Sequence, residues 1–272
     1  MKLHLKEGLL ASAKLSGERT VLVPILEDLV RRYESDLARN IQPIERAMGL
    51  LENERAGRLS LEDREEILRL VVEYLINWQT RGSVAIEASH KMKRLGFLRD
   101  AESLRDVPKV HSALQGVRFS AAKAAMIAKA ANEIQTRANG SISNWLDMVS
   151  TGKLMIGKGS PKVRANMLKQ FGYLDEIPID THVIRFFKRV ANLELSPSHS
   201  ERLKLFCRRE LSGVKFRGFD LGLQPGILDK LIRIHCSPDN DEFGRPYHNI
   251  CGIIARCGEC TVREICPKYG VS

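Results

Sequence analysis

Four cysteines, Cys251, Cys257, Cys260 and Cys266, fall within the last 22 residues with the spacing C-x5-C-x2-C-x5-C. Thiolates bunched this closely, with Arg245, Arg256, Arg263 and Lys268 around them to offset ligand charge, suit a four-cysteine metal or iron–sulfur site. Structural zinc usually draws on two C-x2–4-C pairs on separate knuckles; this stretch has one tight pair, Cys257 and Cys260, with single cysteines outside it. The spacing fits iron–sulfur ligation better than zinc. Two disulfides are the remaining option and need an oxidising compartment. Met1–Gly17 is Lys-rich, without a sustained apolar core or small-residue cleavage site, so the expectation is reduced thiols in the cytosol.

A second constellation lies upstream. Met155-Ile156-Gly157-Lys158-Gly159-Ser160-Pro161 is a tight, glycine-bearing connection between two helical segments, with Ser160 placed to cap and Pro161 at the favoured first helical position. Such a helix–hairpin–helix lets backbone approach a phosphate and aims the N–H groups of a helix start at it. Lys162 follows in the first turn, where the helix dipole, Lys158 and Arg164 crowd it with positive charge, a setting for a nucleophilic amine. Eighteen residues on, Asp180 opens Asp180-Thr181-His182 before an amphipathic run through Val183, Ile184, Phe187 and Val190. Taken singly, Lys162 reads as a solvated lysine and Asp180 as a helix cap.

The elements that must position these residues are helical. Apolar residues recur at helical spacing nearly throughout, and period-two alternation is scarce, so the chain reads as all-α. Ser60 with Glu62 and Asp63 starts one helix, Ser120 starts the Ala-rich segment to Arg137, and Ser141 or Ser143 starts a short helix through Trp145. At 272 residues with 43% apolar content, a buried core is expected, and no run of 18 uncharged apolar residues suggests a membrane span. A net charge of +10 favours a polyanionic partner.

The combination of hairpin, Lys162, the Asp180-Thr181-His182 helix start and the C-terminal cysteines resembles the endonuclease III branch of the helix–hairpin–helix DNA glycosylases. The resemblance spans about residues 71–190 and 250–267. It implies a two-lobed fold: a helical barrel over 63–172 carrying the hairpin, with 1–62 packing against a C-terminal lobe, 173–272, that holds a [4Fe–4S] cluster. It assigns Lys162 as the Schiff-base nucleophile, Asp180 as the aspartate that supports glycosidic cleavage, and Cys251, Cys257, Cys260 and Cys266 as cluster ligands. Leu75-Ile76-Asn77-Trp78-Gln79-Thr80 resembles the helix whose glutamine fills the gap left by a flipped base, which points to Gln79. Gly116-Val117-Arg118-Phe119-Ser120 resembles the loop that wedges into the duplex, which points to Val117 and Arg118. The amides of Gly157, Lys158, Gly159 and the helix start at Pro161–Lys162 would hold phosphates, and the nearby basic side chains of Arg185, Lys188 and Arg189 would supply salt-dependent DNA affinity.

The implied function is a bifunctional DNA glycosylase and AP lyase of base excision repair, acting as a monomer on double-stranded DNA with a damaged base or abasic site. Oxidised pyrimidine is the favoured lesion. The alternatives are 8-oxoguanine, or a non-catalytic DNA-binding module; a zinc-stabilised nucleic-acid factor ranks last. Mismatch-specific branches typically lack the lysine. No membrane association is expected; the expected setting is the nucleoid of a prokaryote or the nucleus of a eukaryote. The pattern departs from the family in several places. Five residues rather than six separate the first two cysteines, the hairpin lacks Leu-Pro-Gly-x-Gly, Lys162 lies one residue further from its glycine than usual although its spacing to Asp180 fits, and 1–59 and the unusually long 195–249 have no counterpart. Cys207 and Cys236 are spare, expected as buried or free thiols.

Overall fold

The structure, a computed structural model, describes residues 19–77, 79–80, 82–156, 161–241 and 244–271. The hairpin residues Gly157, Lys158, Gly159 and Ser160, together with Met1–Gly17 and Trp78, lie outside the described residues. Eleven α-helices carry the described chain, with one antiparallel hairpin pairing Lys215–Phe216 with Phe219–Asp220.

The helices gather around two apolar cores. The first is built from α3 (Leu61–Ile76), α4 (Gly82–Arg94), α5 (Val107–Ala113), α6 (Ser120–Thr136), α7 (Ile142–Ser150) and α8 (Pro161–Gln170). The second takes α1 (Arg19–Arg32), α9 (Thr181–Ala191), α10 (Ser200–Leu211) and α11 (Pro225–Cys236). Helix α2 (Glu34–Arg55) serves both, giving Leu37, Ile41 and Ile44 to the second core and Ala47, Leu50 and Leu51 to the first.

Local signals explain where the helices begin. The Ser60 hydroxyl accepts the Asp63 N–H at 3.1 Å, and Ser141 accepts the Asn144 N–H at 3.2 Å, each satisfying a donor the helix itself cannot. Ser120 is not a cap; it is the first residue of α6, after Phe119 in a left-handed conformation. Helix α3 is buried almost all round, so its charges are satisfied internally. The Arg69 guanidinium donates to both Glu66 oxygens, at 3.0 and 2.9 Å, and to Glu73 and Ser89. Its Ile67, Leu68, Val71, Val72, Leu75 and Ile76 anchor the first core, and each contributes about 1.5–3 kcal/mol through burial.

The seam between the cores falls at residues 171–174, where Phe171 ends the first core and Leu174 begins the second. Gly172 turns there with φ 89°, and any side chain at this position would collide with Met48. At the start of α11 the Gly226 N–H donates to Leu174 O at 2.8 Å; a Cβ on Gly226 would lie 2.9 Å from Lys169 Cγ and 3.0 Å from Glu176 O. Two ionic contacts clamp the seam. Lys169 of α8 pairs with Asp229 of α11, both fully buried, and Glu176 accepts from Arg164 and Lys204, each at 3.1 Å. No described helix is long and apolar enough to cross a membrane.

Candidate active site and cysteine pocket

Asp180 is the N-cap of α9. Its Oδ1 accepts the N–H groups of His182 at 2.8 Å and Val183 at 3.0 Å. Burial opposes its charge, but the Val183 N–H and the positive charges of His182, Arg233 and Lys162 outweigh burial and hold the carboxyl below the usual carboxylate range. Both cap bonds use Oδ1, so Oδ2 keeps its lone pairs for another partner. Lys162, second residue of α8, is exposed and forms no ion pair with a described carboxylate, while its charge reaches Asp180. The start of α9 thus carries an ionised carboxylate that feels, as the least of its positive neighbours, the charge of the exposed amine at the start of α8. His182 is half-buried and its Nδ1 has no described partner; burial, chiefly, lowers its pKa.

Other site residues lie on two turns of the first core. Gln79 follows the end of α3, exposed, with φ 49°. In the 116–120 loop Arg118 is exposed but Val117 is only 6% exposed and belongs to the core. Val117 is thus corrected as a wedge candidate: its side chain packs inward with Leu114 and Ala124, and Phe119 is the apolar side chain the loop presents. Phe119 is 46% exposed, has φ 58°, and carries the Arg118 guanidinium over its ring at 4.8 Å from the centroid. The hydrophobic pattern alone did not separate these two, because both are apolar residues of the short loop before α6 and only tertiary packing decides which turns inward.

The basic residues of α9 are redirected. Arg189 does not face outward: it donates to Gly252 O at 2.7 Å, Cys251 O at 3.1 Å, Cys251 Sγ at 3.3 Å and Ile253 O at 3.2 Å. Lys188 pairs with Glu194. Arg185 is half-buried, close enough to Cys236 and Cys251 for its charge to favour their thiolates, with Nη1 unpartnered among the described residues. Arg189 thus spends its donors on the 251–253 loop, and Lys188 keeps a solvent-exposed ion pair.

Cys251, Cys257, Cys260 and Cys266 are free thiols that line one pocket with Phe186, Arg189, His235 and Val262. An isolated bridge between Cys251 and Ala255 tightens the loop of the short first spacing. Cys251 is pushed towards its thiolate by the Cys236 thiol that donates to it and by Arg189. His235 is buried, with Nε2 4.0 Å from Cys260 Sγ and Nδ1 3.0 Å from the Tyr33 hydroxyl. Among the described residues no three Cys, His, Asp or Glu side chains converge as tightly as one metal ion requires; the thiols instead ring a space. Four unpaired thiols around one pocket, with a guanidinium on the first, form a donor set that fits an iron–sulfur cluster. Of the cations expected here from sequence, Arg263 and Lys268 line the pocket, while Arg256 instead holds His248 O and Glu259. Cys207 and Cys236 are buried and free.

No protein-family model and no curated protein matches the chain. Among solved structures it is similar to a thermostable thymine-DNA glycosylase, with a TM-score of 0.50 and 15% sequence identity over 85% of this chain and 98% of that one. At that identity the likeness establishes a shared fold.

Proposed function

We propose that the chain is a DNA glycosylase with AP lyase activity, acting on double-stranded DNA that contains a damaged base, an oxidised pyrimidine in first place, or an abasic site. The observation that carries the reading is Asp180, held ionised as the α9 cap with Oδ2 outside the cap bonds, within the electrostatic reach of the exposed Lys162 amine. The fold shared with a DNA glycosylase and the net charge of +10 support the same substrate class.

A base within a duplex is out of reach, so the nucleotide must be extruded, at an unstacking cost of a few kcal/mol that damage lowers. Gln79 and Phe119, both exposed on left-handed turns, are suited to occupy the gap, with Arg118 near the backbone phosphates. As the C1′–N bond breaks, its electron pair leaves with the base and positive charge develops on the sugar. The Asp180 carboxylate stabilises that charge and accepts a proton from the Lys162 ammonium. The Lys162 nitrogen then bonds to C1′, and ring opening gives an imine. Loss of a C2′ proton and departure of the 3′ phosphate cut the strand by β-elimination, and water releases the lysine.

Cys251, Cys257, Cys260 and Cys266 would hold a [4Fe–4S] cluster. Its contribution is scaffolding, since glycosidic cleavage moves no electrons. Arg189, fixed to the Cys251–Ile253 backbone, ties that loop to the helix that Asp180 begins. The test is a panel of single-lesion duplexes scored for strand cleavage. Cleavage at one or more lesions supports the reading; binding without cleavage of any member, an abasic duplex included, leaves a DNA-binding module.

A further inference from the structure

Lys123 is a buried cation that the proposed chemistry does not use. It is 0% exposed in α6, among Ala124, Ile127 and the rest of the first core, where a methionine or leucine would fill similar space without the penalty of desolvating an ammonium. No described carboxylate pairs with it; burial first, and Arg118 second, push its pKa down to about 8. What the amine does is reach across the chain. Its Nζ donates to Thr80 Oγ1, 43 residues away, while its backbone N–H donates to Phe119 O at 3.1 Å.

These contacts join the two exposed turns. Thr80 directly follows Gln79, and its own N–H returns to Asn77 O at 3.2 Å, closing the turn that ends α3. Gln79 and Phe119 are both non-glycine residues at positive φ, 49° and 58°. Such conformations are strained for a residue with a side chain and persist where the surroundings over-determine them. The backbone bond to Phe119 is the first helical bond of α6, which any residue at 123 would make; what lysine adds is the side-chain tie from that turn to Thr80.

We propose that Lys123 is a positioning residue that fixes the separation and direction of Gln79 and Phe119, so that the two probes enter a duplex as one rigid calliper. The proposal rests on the glycosylase reading for its purpose, but its structural core is testable without DNA. In the full chain, Lys123→Met should speed amide exchange in peptides covering Gln79–Thr80 and Val117–Ser120 about tenfold or more, with exchange elsewhere in α3 and α6 unchanged. Thr80→Val should reproduce this signature, and Thr80→Ser, which keeps the hydroxyl, should match the wild type. Unchanged exchange in Lys123→Met or Thr80→Val overturns the anchor whether or not the chain cuts DNA. On a lesion duplex bearing 2-aminopurine beside the lesion, Thr80→Val should lose the fluorescence rise of extrusion and about tenfold in base-release kcat/KM. Its borohydride trapping on a preformed abasic duplex should stay within about threefold of wild type. Equal losses in both assays overturn the positioning role. A wild-type chain that traps no duplex removes the glycosylase reading and leaves the exchange result standing.

Discussion

Replacing Asp180 separates its two roles, because the cap needs an oxygen and the chemistry needs a charge. In Asp180→Ala the His182 and Val183 N–H groups, now bonded to Oδ1 at 2.8 and 3.0 Å, lose their acceptor. Loss of such a cap costs about 0.5–2 kcal/mol, and each kcal/mol lowers Tm by about 2–4 °C in a chain of this size. Asp180→Asn places an amide oxygen where Oδ1 stands, so its Tm should stay within about 1 °C of the wild type. Both variants remove the negative charge that Lys162 and Arg233 now stabilise. If that charge meets the developing sugar cation, base release should fall by about 10²–10³-fold, the loss expected for one preorganised electrostatic group. Single-turnover base release, with thermal unfolding of the same preparations, reads both quantities. An asparagine variant that releases base within about threefold of wild type refutes the catalytic role. Loss of cooperative unfolding in the asparagine variant would make the Asp180 charge a structural requirement rather than a catalytic one.

Three further outcomes follow from other parts of the molecule. Lys169→Met strands the buried Asp229 carboxylate and should cost about 3–5 kcal/mol in denaturant unfolding, while adding Asp229→Leu should recover most of it. Purified protein should be brown with about four irons per chain, and Cys260→Ser should lose iron; colourless protein with stoichiometric zinc contradicts the cluster. For Lys123, whose folded pKa of about 8 lies below its ordinary 10.5, the unfolded chain binds the extra proton between those values. Wild-type stability should therefore rise relative to that of Lys123→Met as pH rises from 8 to 10.5, and a wild type that loses stability relative to the variant over this window contradicts the buried, poorly solvated amine.

What the sequence made legible was local. Ser60, Ser141, Pro161 and Asp180 announce helix starts because a cap is written within three residues of the N–H groups it satisfies. The placement of Lys162 in the first turn of α8 and of Asp180 as the cap of α9 was readable because each helix start is signalled locally. Contacts across long separations were not readable. Arg189 sits among outward-looking basic residues in the sequence, yet meets Cys251, 62 positions away. Lys123 sits in an alanine-rich run with nothing nearby to signal Thr80. The choice between Val117 and Phe119 turned on which side the first core occupies, a tertiary fact that overrides residue type. Helix α3 hid its ionic network for the same reason: nothing local in the sequence signals that the surrounding helices bury Glu66, Arg69 and Glu73 together.

The central claim is that Lys162 becomes covalently attached to the sugar of a damaged nucleotide. It is tested most directly by borohydride reduction during incubation of the full chain with a lesion or abasic duplex, followed by denaturing electrophoresis. The wild type should give a stable protein–DNA adduct whose tryptic peptide carries the modification at Lys162, and Lys162→Gln should give none while still binding the duplex. Undiminished trapping by Lys162→Gln, or modification mapped to another amine, contradicts the account.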